Sequence, residues 1–197
     1  MTVNVSIRTS LTAILIGWLA LAVEPAVAES EEERAREYFT NLELVNQDGE
    51  TLRFFDDVLK DKVVVINFIF TNCKGACPLM THKMTVVRDK LEGRIGDPVQ
   101  FVSLSLDPAR DTPAAMKEFA KTHHADHYGW VFLTGNAENL DFIIKRLGQF
   151  TDDIEAHSTM MLAGNVNAAH WIKILPHEMP PAIAEKLQIL INDNEPT

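Results

Sequence analysis

The chain contains only two cysteines in 197 residues, and both lie in the stretch 65-VINFIFTNCKGACPLM-80. Cys73 and Cys77 follow an apolar run at the point where a strand is expected to give way to a helix. Ligands collect outside the carboxyl ends of strands in open α/β sheets, and a helix N-terminus stabilises a thiolate. We therefore predict that both thiols have lowered pKa values and that at least one of them is accessible.

Three chemical uses of this Cys-x-x-x-Cys pair are open from spacing alone. A structural disulfide here would close so short a loop that it would contribute only ~2 kcal/mol. A pair that exchanges disulfides normally has Cys-x-x-Cys spacing. As metal ligands, two thiolates select a soft ion such as copper(I) and also accept zinc(II). A structural zinc site needs four protein ligands, whereas two sulfurs and one nitrogen suit copper.

Seven histidines are candidates for that nitrogen. His82 is predicted to face solvent, because it lies opposite the apolar stripe of its helix. His157 follows an acidic loop, 152-DDIEA-156, and precedes a predicted strand, which brings it towards the edge of the sheet. Spacing alone does not prove this placement. The remaining five, which we expect to be helix-end or structural residues, are His123, His124, His127, His170 and His177.

The N-terminus has the pattern of a segment that directs export. Residues 11–23 form an apolar run preceded by Arg8, and Ala26-Val27-Ala28 is an A-x-A cleavage pattern. We predict that residues 1–28 are a signal peptide cut after Ala28. The alternative is an uncleaved membrane anchor, for which this run is short. Either way, we expect a periplasmic or otherwise exported protein.

Composition restricts the partners of the remaining chain. The net charge is −10, which argues against nucleic acid and against anionic lipid surfaces. The part beyond residue 28 is long enough for one domain with a real core, and we place that domain at residues 36–192.

The order of predicted elements defines the fold class. A hairpin around Asp48-Gly49 and a short helix at 54–60 precede a buried strand at 63–70. Alternating helices and strands follow, then a hairpin turning near Gly164-Asn165 and a last helix at 181–191. We therefore predict an α/β, thioredoxin-like fold with an N-terminal β-hairpin and an inserted strand–helix element.

Several stretches together resemble one family. They are 68-FIFTNCKGACPLM-80, 106-LDPARDTPAAMKEFAK-121, 131-VFLTGNAENLDFIIKRLG-148 and 157-HSTMML-162. These stretches are similar to the Sco/SenC family of thioredoxin-fold copper chaperones, which help to assemble the Cu-A centre of cytochrome c oxidase. The Cys-x-x-x-Cys-Pro, Asp-Pro-x-Arg-Asp-Thr and His-Ser motifs, in this order, carry the resemblance.

The resemblance implies a ligand set, a cargo and partners. Cys73, Cys77 and His157 match the copper ligands of the family, and the two cysteines match its redox-active pair. The implied cofactor is copper, as Cu(I) and Cu(II). The implied partners are a copper-accepting subunit of a respiratory oxidase and a thioredoxin-like thiol reductant.

The alternative function is a thiol–disulfide reductase acting on the cysteines of a respiratory copper protein. A peroxiredoxin-like peroxidase is a weaker third option.

Three further motifs have structural interpretations. In the Asp-Pro-x-Arg-Asp-Thr motif, Asp111 or Thr112 is expected to cap a helix and Arg110 to hold a loop by an ion pair. Met160 and Met161 are expected to belong to the strand core. Lys74 departs from the acidic residue that family members often carry in the cysteine loop, and its positive charge favours a thiolate.

Overall fold

The computed structural model describes residues 30–91, 93–149 and 159–193. The predicted signal peptide at 1–28 and His157 lie outside the described residues. The helices are α1 (Glu31–Phe39), a π-helix (Phe54–Leu59), α2 (Ala76–Lys90), α3 (Pro113–Thr122), α4 (Ala137–Arg146) and α5 (Pro180–Asn192). The strands are β1 (Glu43–Asn46), β2 (Thr51–Arg53), β3 (Val63–Ile69), β4 (Val99–Ser105), β5 (Trp130–Thr134), β6 (Met161–Asn165) and β7 (His170–Ile174). In the described part of the chain, no helix is both long and apolar enough to cross a membrane.

The strands form one mixed sheet in the order β2-β1-β5-β4-β3-β6-β7. The central strands β3, β4 and β5 are parallel, and antiparallel strands join them on either side. Every residue of β3 and β4 is buried, as expected for strands covered on both faces. The apolar run before the cysteines is therefore the centre of the sheet, and it delivers Cys73 to the carboxyl end of that sheet.

Two hydrophobic cores lie on the two faces of the sheet. Val63 and Val65 point into one core with the buried residues of α2, α3 and α5. Val64 and Ile66 point into the other core with residues of α1, the π-helix and α4. The alternation follows from the two-residue period of a strand. The stripe predicted on α2 is confirmed, because Met80, Met84, Val87 and Leu91 are all buried in the first core.

Side-chain caps fix the starts of two crossover helices. The Thr112 hydroxyl accepts a hydrogen bond from Ala115 N at the start of α3, with Pro113 in the first turn. The Asn136 side chain accepts from Glu138 N at the start of α4. These caps satisfy helix-terminal N–H groups that would otherwise lack partners. Thr112, rather than Asp111, is the capping residue of α3.

The terminal hairpin is present, but its predicted turn is wrong by a few residues. Gly164 and Asn165 belong to β6, and the connection to β7 lies beyond them at residues 166–169. Gly164 pairs across the ladder with Trp171. A Cβ atom at position 164 would lie 2.3 Å from the Trp171 ring. Position 164 therefore requires a glycine because the indole packs against it. The glycine does not mark the turn, which is why the predicted turn lies too early in the sequence.

Replacing Gly164 by alanine is expected to destabilise the fold by about 1–3 kcal/mol, because the added methyl group forces the indole from its place. Urea denaturation followed by tryptophan fluorescence measures the change. Gly164→Ala in a Trp171→Ala background is the control, since the ring that the new methyl group would meet is then absent. A cost of Gly164→Ala that is the same with and without the Trp171 ring would contradict this packing argument.

Candidate metal centre

Cys73 lies in the short loop between β3 and α2. Its backbone N–H donates to Phe70 O at 3.1 Å, which turns the chain out of the strand. Gly75, the N-cap residue of α2, provides no side-chain capping bond. Instead, Cys73 Sγ accepts a hydrogen bond from Cys77 N at 3.3 Å. The sulfur thus takes the place of a capping oxygen at a helix N-terminus, where negative charge is favoured.

The surroundings of Cys73 lower the pKa of its thiol. Partial burial is the largest influence and raises the pKa, but hydrogen bonds together outweigh it. They come from the Cys77 thiol and from the backbone N–H groups of Cys77, Gly75 and Ala76. The lowered pKa predicted for this cysteine is confirmed, and the side chain is partly exposed.

Cys77 differs from Cys73 in both burial and acidity. Its side chain is 2% exposed and belongs to the core beneath α2. Burial raises the pKa of the Cys77 thiol to about 12, and the hydrogen bond to Cys73 adds to the effect. The prediction that both thiols have lowered pKa values is therefore wrong for Cys77. The second position of the motif points inwards, and burial there favours the neutral thiol more strongly than the helix terminus favours the thiolate.

Asp111 fixes the loop that carries Cys73. Its carboxyl group is fully buried and accepts hydrogen bonds from Thr71 N at 2.9 Å and from Thr71 Oγ1 at 2.6 Å. The other oxygen accepts from Ser105 Oγ at 2.6 Å. Asp111 therefore joins the end of β4 to the residue two positions before Cys73. Sequence reasoning assigned Asp111 to a helix cap and missed this role.

Arg110 makes the loop ion pair that the sequence predicted. Its guanidinium contacts the Asp107 carboxylate at 2.8 Å, and the arginine side chain is 66% exposed. An exposed pair of this kind contributes little to stability. Within the Asp-Pro-x-Arg-Asp-Thr motif, the buried hydrogen bonds of Asp111 therefore contribute more to stability than the exposed ion pair of Arg110 does.

The adjacent methionines Met160 and Met161 have different environments. Met161 is in the core, as predicted for a strand residue. Met160 is only partly buried and lines a small cavity together with Cys77 and Asn67. The cavity measures about 10 Å³, the room that one water molecule occupies. A thioether, a thiol and an amide therefore meet beneath the cysteine loop.

The described histidines make other contacts. His82 is exposed, as predicted. The His123 ring packs on Phe119 with ring centroids 4.4 Å apart. Burial lowers the pKa of His123, and the charge of the neighbouring His124 lowers it further. His170 Nδ1 lies 2.6 Å from the Asp193 carboxylate. Within residues 30–91, 93–149 and 159–193, no three His, Cys, Asp or Glu side chains are grouped to hold a metal ion. The described part of the chain therefore supplies the two cysteine sulfurs without a His, Asp or Glu grouped beside them.

The family model SCO1/SenC matches residues 30–191, which is most of the chain. The chain belongs to the SCO1/SenC family. It spans about half the length of the curated relatives that it matches. The SCO1 protein homolog of Bacillus subtilis is 39% identical over 94 residues, which are 48% of this chain and 47% of that protein. A protein of Stutzerimonas stutzeri named as copper-binding is 35% identical over 107 residues, 54% of this chain and 50% of that one.

Solved structures of SCO1/SenC proteins match the fold. A family lipoprotein from Bacillus anthracis is 30% identical with a TM-score of 0.67, covering 77% of this chain and 94% of the other. BsSco is 26% identical with a TM-score of 0.65, covering 77% of this chain and 92% of the other. It is described as having a disulfide switch and as belonging to a family of cytochrome c oxidase assembly proteins. The likeness supports the predicted thioredoxin-like fold.

The SCO1/SenC site of this chain suits a soft cation and also disulfide formation. The Cys73 and Cys77 side chains are neighbours at the carboxyl end of the central strands, and both are free thiols in this structure. Thiolates bind copper(I) in preference to harder ions such as magnesium. The donor set therefore fits copper as cargo, and the same two sulfurs can be oxidised together.

Proposed function

We propose that this protein is an exported metallochaperone that delivers copper to the Cu-A site of a respiratory cytochrome c oxidase, or prepares that site. The observation that carries the proposal is the pair of reduced sulfurs at the N-terminus of α2 in a SCO1/SenC chain. In this proposal, Cys73 and Cys77 are the sulfur ligands and His157 is the nitrogen ligand.

The contrast between the two thiols sets the order of binding. Cys73, with its lowered pKa and partial exposure, is the first sulfur available to an arriving ion. Cys77 must then release its proton, because metal ligands bind as thiolates. Loading therefore releases protons and becomes more favourable as pH rises. A three-ligand site leaves room for a fourth donor from the recipient, so transfer proceeds by ligand exchange.

Oxidation of the cysteines controls loading in this proposal. Forming the Cys73–Cys77 disulfide releases two protons and two electrons to a disulfide of another protein, which becomes two thiols. The oxidised pair has no thiolate for copper, so a thioredoxin-like thiol reductant must restore it. The disulfide switch described for BsSco supports this step.

The relatives also support the proposed partner and location. BsSco is described as a member of a family of cytochrome c oxidase assembly proteins, and the Bacillus anthracis relative as a lipoprotein. We infer the same class of recipient here, with residues 1–28 as signal peptide or anchor and residues 36–192 as the exported domain. The acidic net charge of −10 argues against nucleic acid as a partner class.

A second function, thiol–disulfide reductase, is favoured by one observation. An accessible cysteine of lowered pKa next to a buried cysteine of raised pKa is the arrangement of an attacking and a resolving thiol. Cys73 would attack a disulfide of a respiratory copper protein, and Cys77 would then release the reduced partner. This reaction does not need His157, so a His157→Ala variant that keeps biological function without binding copper would favour it.

Copper titration of the reduced protein tests the chaperone proposal. We expect one copper ion per chain, and a thiolate-to-copper charge-transfer band after addition of Cu(II). His157→Ala should lose that band and bind copper at least about 100-fold more weakly, since even residues behind the ligands contribute 10–100-fold. His82→Ala, at an exposed position, is the control. A Cys73→Ala/Cys77→Ala variant that binds copper as tightly as wild type would defeat the proposal.

A further inference from the structure

Asn67 is a polar residue in the middle of the apolar strand β3. Its neighbours in the strand are all apolar, and its side chain is 3% exposed. Burying an amide is unfavourable unless its hydrogen bonds are made. The position therefore needs a physical reason that packing does not provide.

A chain of hydrogen bonds fixes the direction of the Asn67 amide. Trp130 Nε1 donates to Ser103 Oγ at 3.0 Å, and an indole nitrogen can only donate. Ser103 Oγ in turn donates to Asn67 Oδ1 at 2.7 Å. The carbonyl oxygen of Asn67 is thus held towards β4, and its NH₂ group must point the other way.

That NH₂ group has no acceptor among the described residues, although it is buried. Asn67 lines the cavity of about 10 Å³ that Cys77 also lines. The cavity has room for no more than about one water molecule. Asn67 and Cys77 therefore border the same cavity, which is small enough for a single water molecule to bridge polar groups across it.

We propose that Asn67 is a positioning residue for Cys77, whose amide N–H donates to the Cys77 sulfur, directly or through one water, when that sulfur binds a soft metal ion. This inference rests on the proposed copper-binding function. A metal-bound thiolate carries negative charge and accepts hydrogen bonds more strongly than a neutral thiol does. In the metal-free protein this donor lacks an acceptor among the described residues, and in the loaded protein the Cys77 thiolate supplies one. Hydrogen bonds to a ligating sulfur also tune the bound metal.

The test compares Asn67→Leu with wild type in copper(I) affinity, measured against a chelator, and in urea denaturation of the metal-free protein. Leucine is close in shape to asparagine but cannot donate. We expect copper affinity to fall about 10–100-fold and the Cu(II) charge-transfer band to shift. The stability of the metal-free protein should change little, because Asn67→Leu leaves the buried Ser103 hydroxyl without its acceptor but also removes a buried amide donor that has no acceptor among the described residues.

Asn165→Leu is the matched control. Asn165 is equally buried in β6, but its side chain donates to Leu190 O at 2.8 Å and accepts from Ala168 N at 3.1 Å. Its replacement should lower stability and leave copper affinity unchanged, which is the reverse of the expectation for Asn67. If Asn67→Leu does not fold, Asn67→Val, which suits a strand, replaces it.

The outcomes separate the two proposals. Wild-type protein that binds copper together with an Asn67→Leu variant of equal affinity and spectrum would overturn the role of Asn67 and leave the chaperone proposal standing. Wild-type protein that binds no copper would overturn both. Loss of stability in Asn67→Leu without any change in affinity would assign Asn67 to folding alone.

Discussion

Iodoacetamide modifies Cys73 about a thousand times faster than Cys77 at pH 7.5 in the folded, reduced protein: this is the result that we expect from the two environments. Only the thiolate reacts. With a pKa of about 12, Cys77 is ionised to roughly 3 parts in 100,000 at this pH. Cys73, with a pKa below its ordinary value of 9.0, is ionised to more than about 3%. The burial of Cys77 adds to the difference.

The pH dependence of the two reactions gives a second check. The Cys77 rate should rise about tenfold per pH unit from neutral pH until the pH nears 12, whereas the Cys73 rate should level off below pH 9. Peptide mass spectrometry after timed quenching measures each cysteine separately. Denaturant is the control, because unfolding should make the two rates nearly equal. Similar rates in the folded protein would refute the asymmetry of the site.

Replacing Asp111 by alanine should cost about 3–5 kcal/mol of folding stability. The change leaves Thr71 N, Thr71 Oγ1 and Ser105 Oγ without their acceptor, and each buried unpaired group costs about 1–3 kcal/mol. Some of this is recovered where water reaches the part-buried Thr71. Urea denaturation measures the effect. Because Thr71 precedes Cys73 by two residues, the variant should also narrow the difference in reactivity between the two cysteines.

Arg110→Ala is the matched control for Asp111. It lies next to Asp111 in the same motif and loses an ion pair to Asp107, but the arginine is exposed. We expect a loss of less than about 1 kcal/mol. If the two substitutions cost the same, the motif would act through surface charge, and the buried carboxyl group would not be the element that holds the loop.

The asymmetry of the cysteine pair gives each sulfur a separate task in the proposed function. The partly exposed Cys73 meets an incoming ion or a partner's disulfide at the surface. The buried Cys77 then binds from inside, next to Asn67 and Met160. A pair with two exposed thiolates would be open to oxidation at both positions. Here Cys77 remains a buried, protonated thiol until a ligand or partner is present.

Local sequence patterns determined most of the secondary structure. The apolar run at 63–70, the stripe from Met80 to Leu91 and the cap at Asn136 each became the element that they predicted. These signals are reliable because alternation and helical spacing follow from the geometry of one segment. The Cys-x-x-x-Cys-Pro motif likewise located the candidate site, and the family comparison agrees with the resemblance that it carried.

Local sequence patterns did not predict the features that depend on contacts between segments far apart in the chain. The sequence shows Asp111 as one more acidic residue near a helix start, and only the approach of β4 to the β3 loop brings Thr71 and Ser105 to it. The sequence presents Gly164 as a turn residue, whereas the fold places the Trp171 ring against it inside the strand ladder. Asn67 did give a signal, as the single polar residue of an apolar strand, but its meaning depends on Ser103 and on the cavity beside Cys77.

The sequence by itself determined that two sulfurs lie where a central strand meets a helix, and that the chain resembles copper chaperones. Only the tertiary structure decided that those sulfurs differ. Acidity depends on the hydrogen bonds and burial around each atom, and these are set by how α2 packs on the sheet. Spacing along the chain fixes which residues are neighbours, whereas packing fixes which of them remains in contact with water.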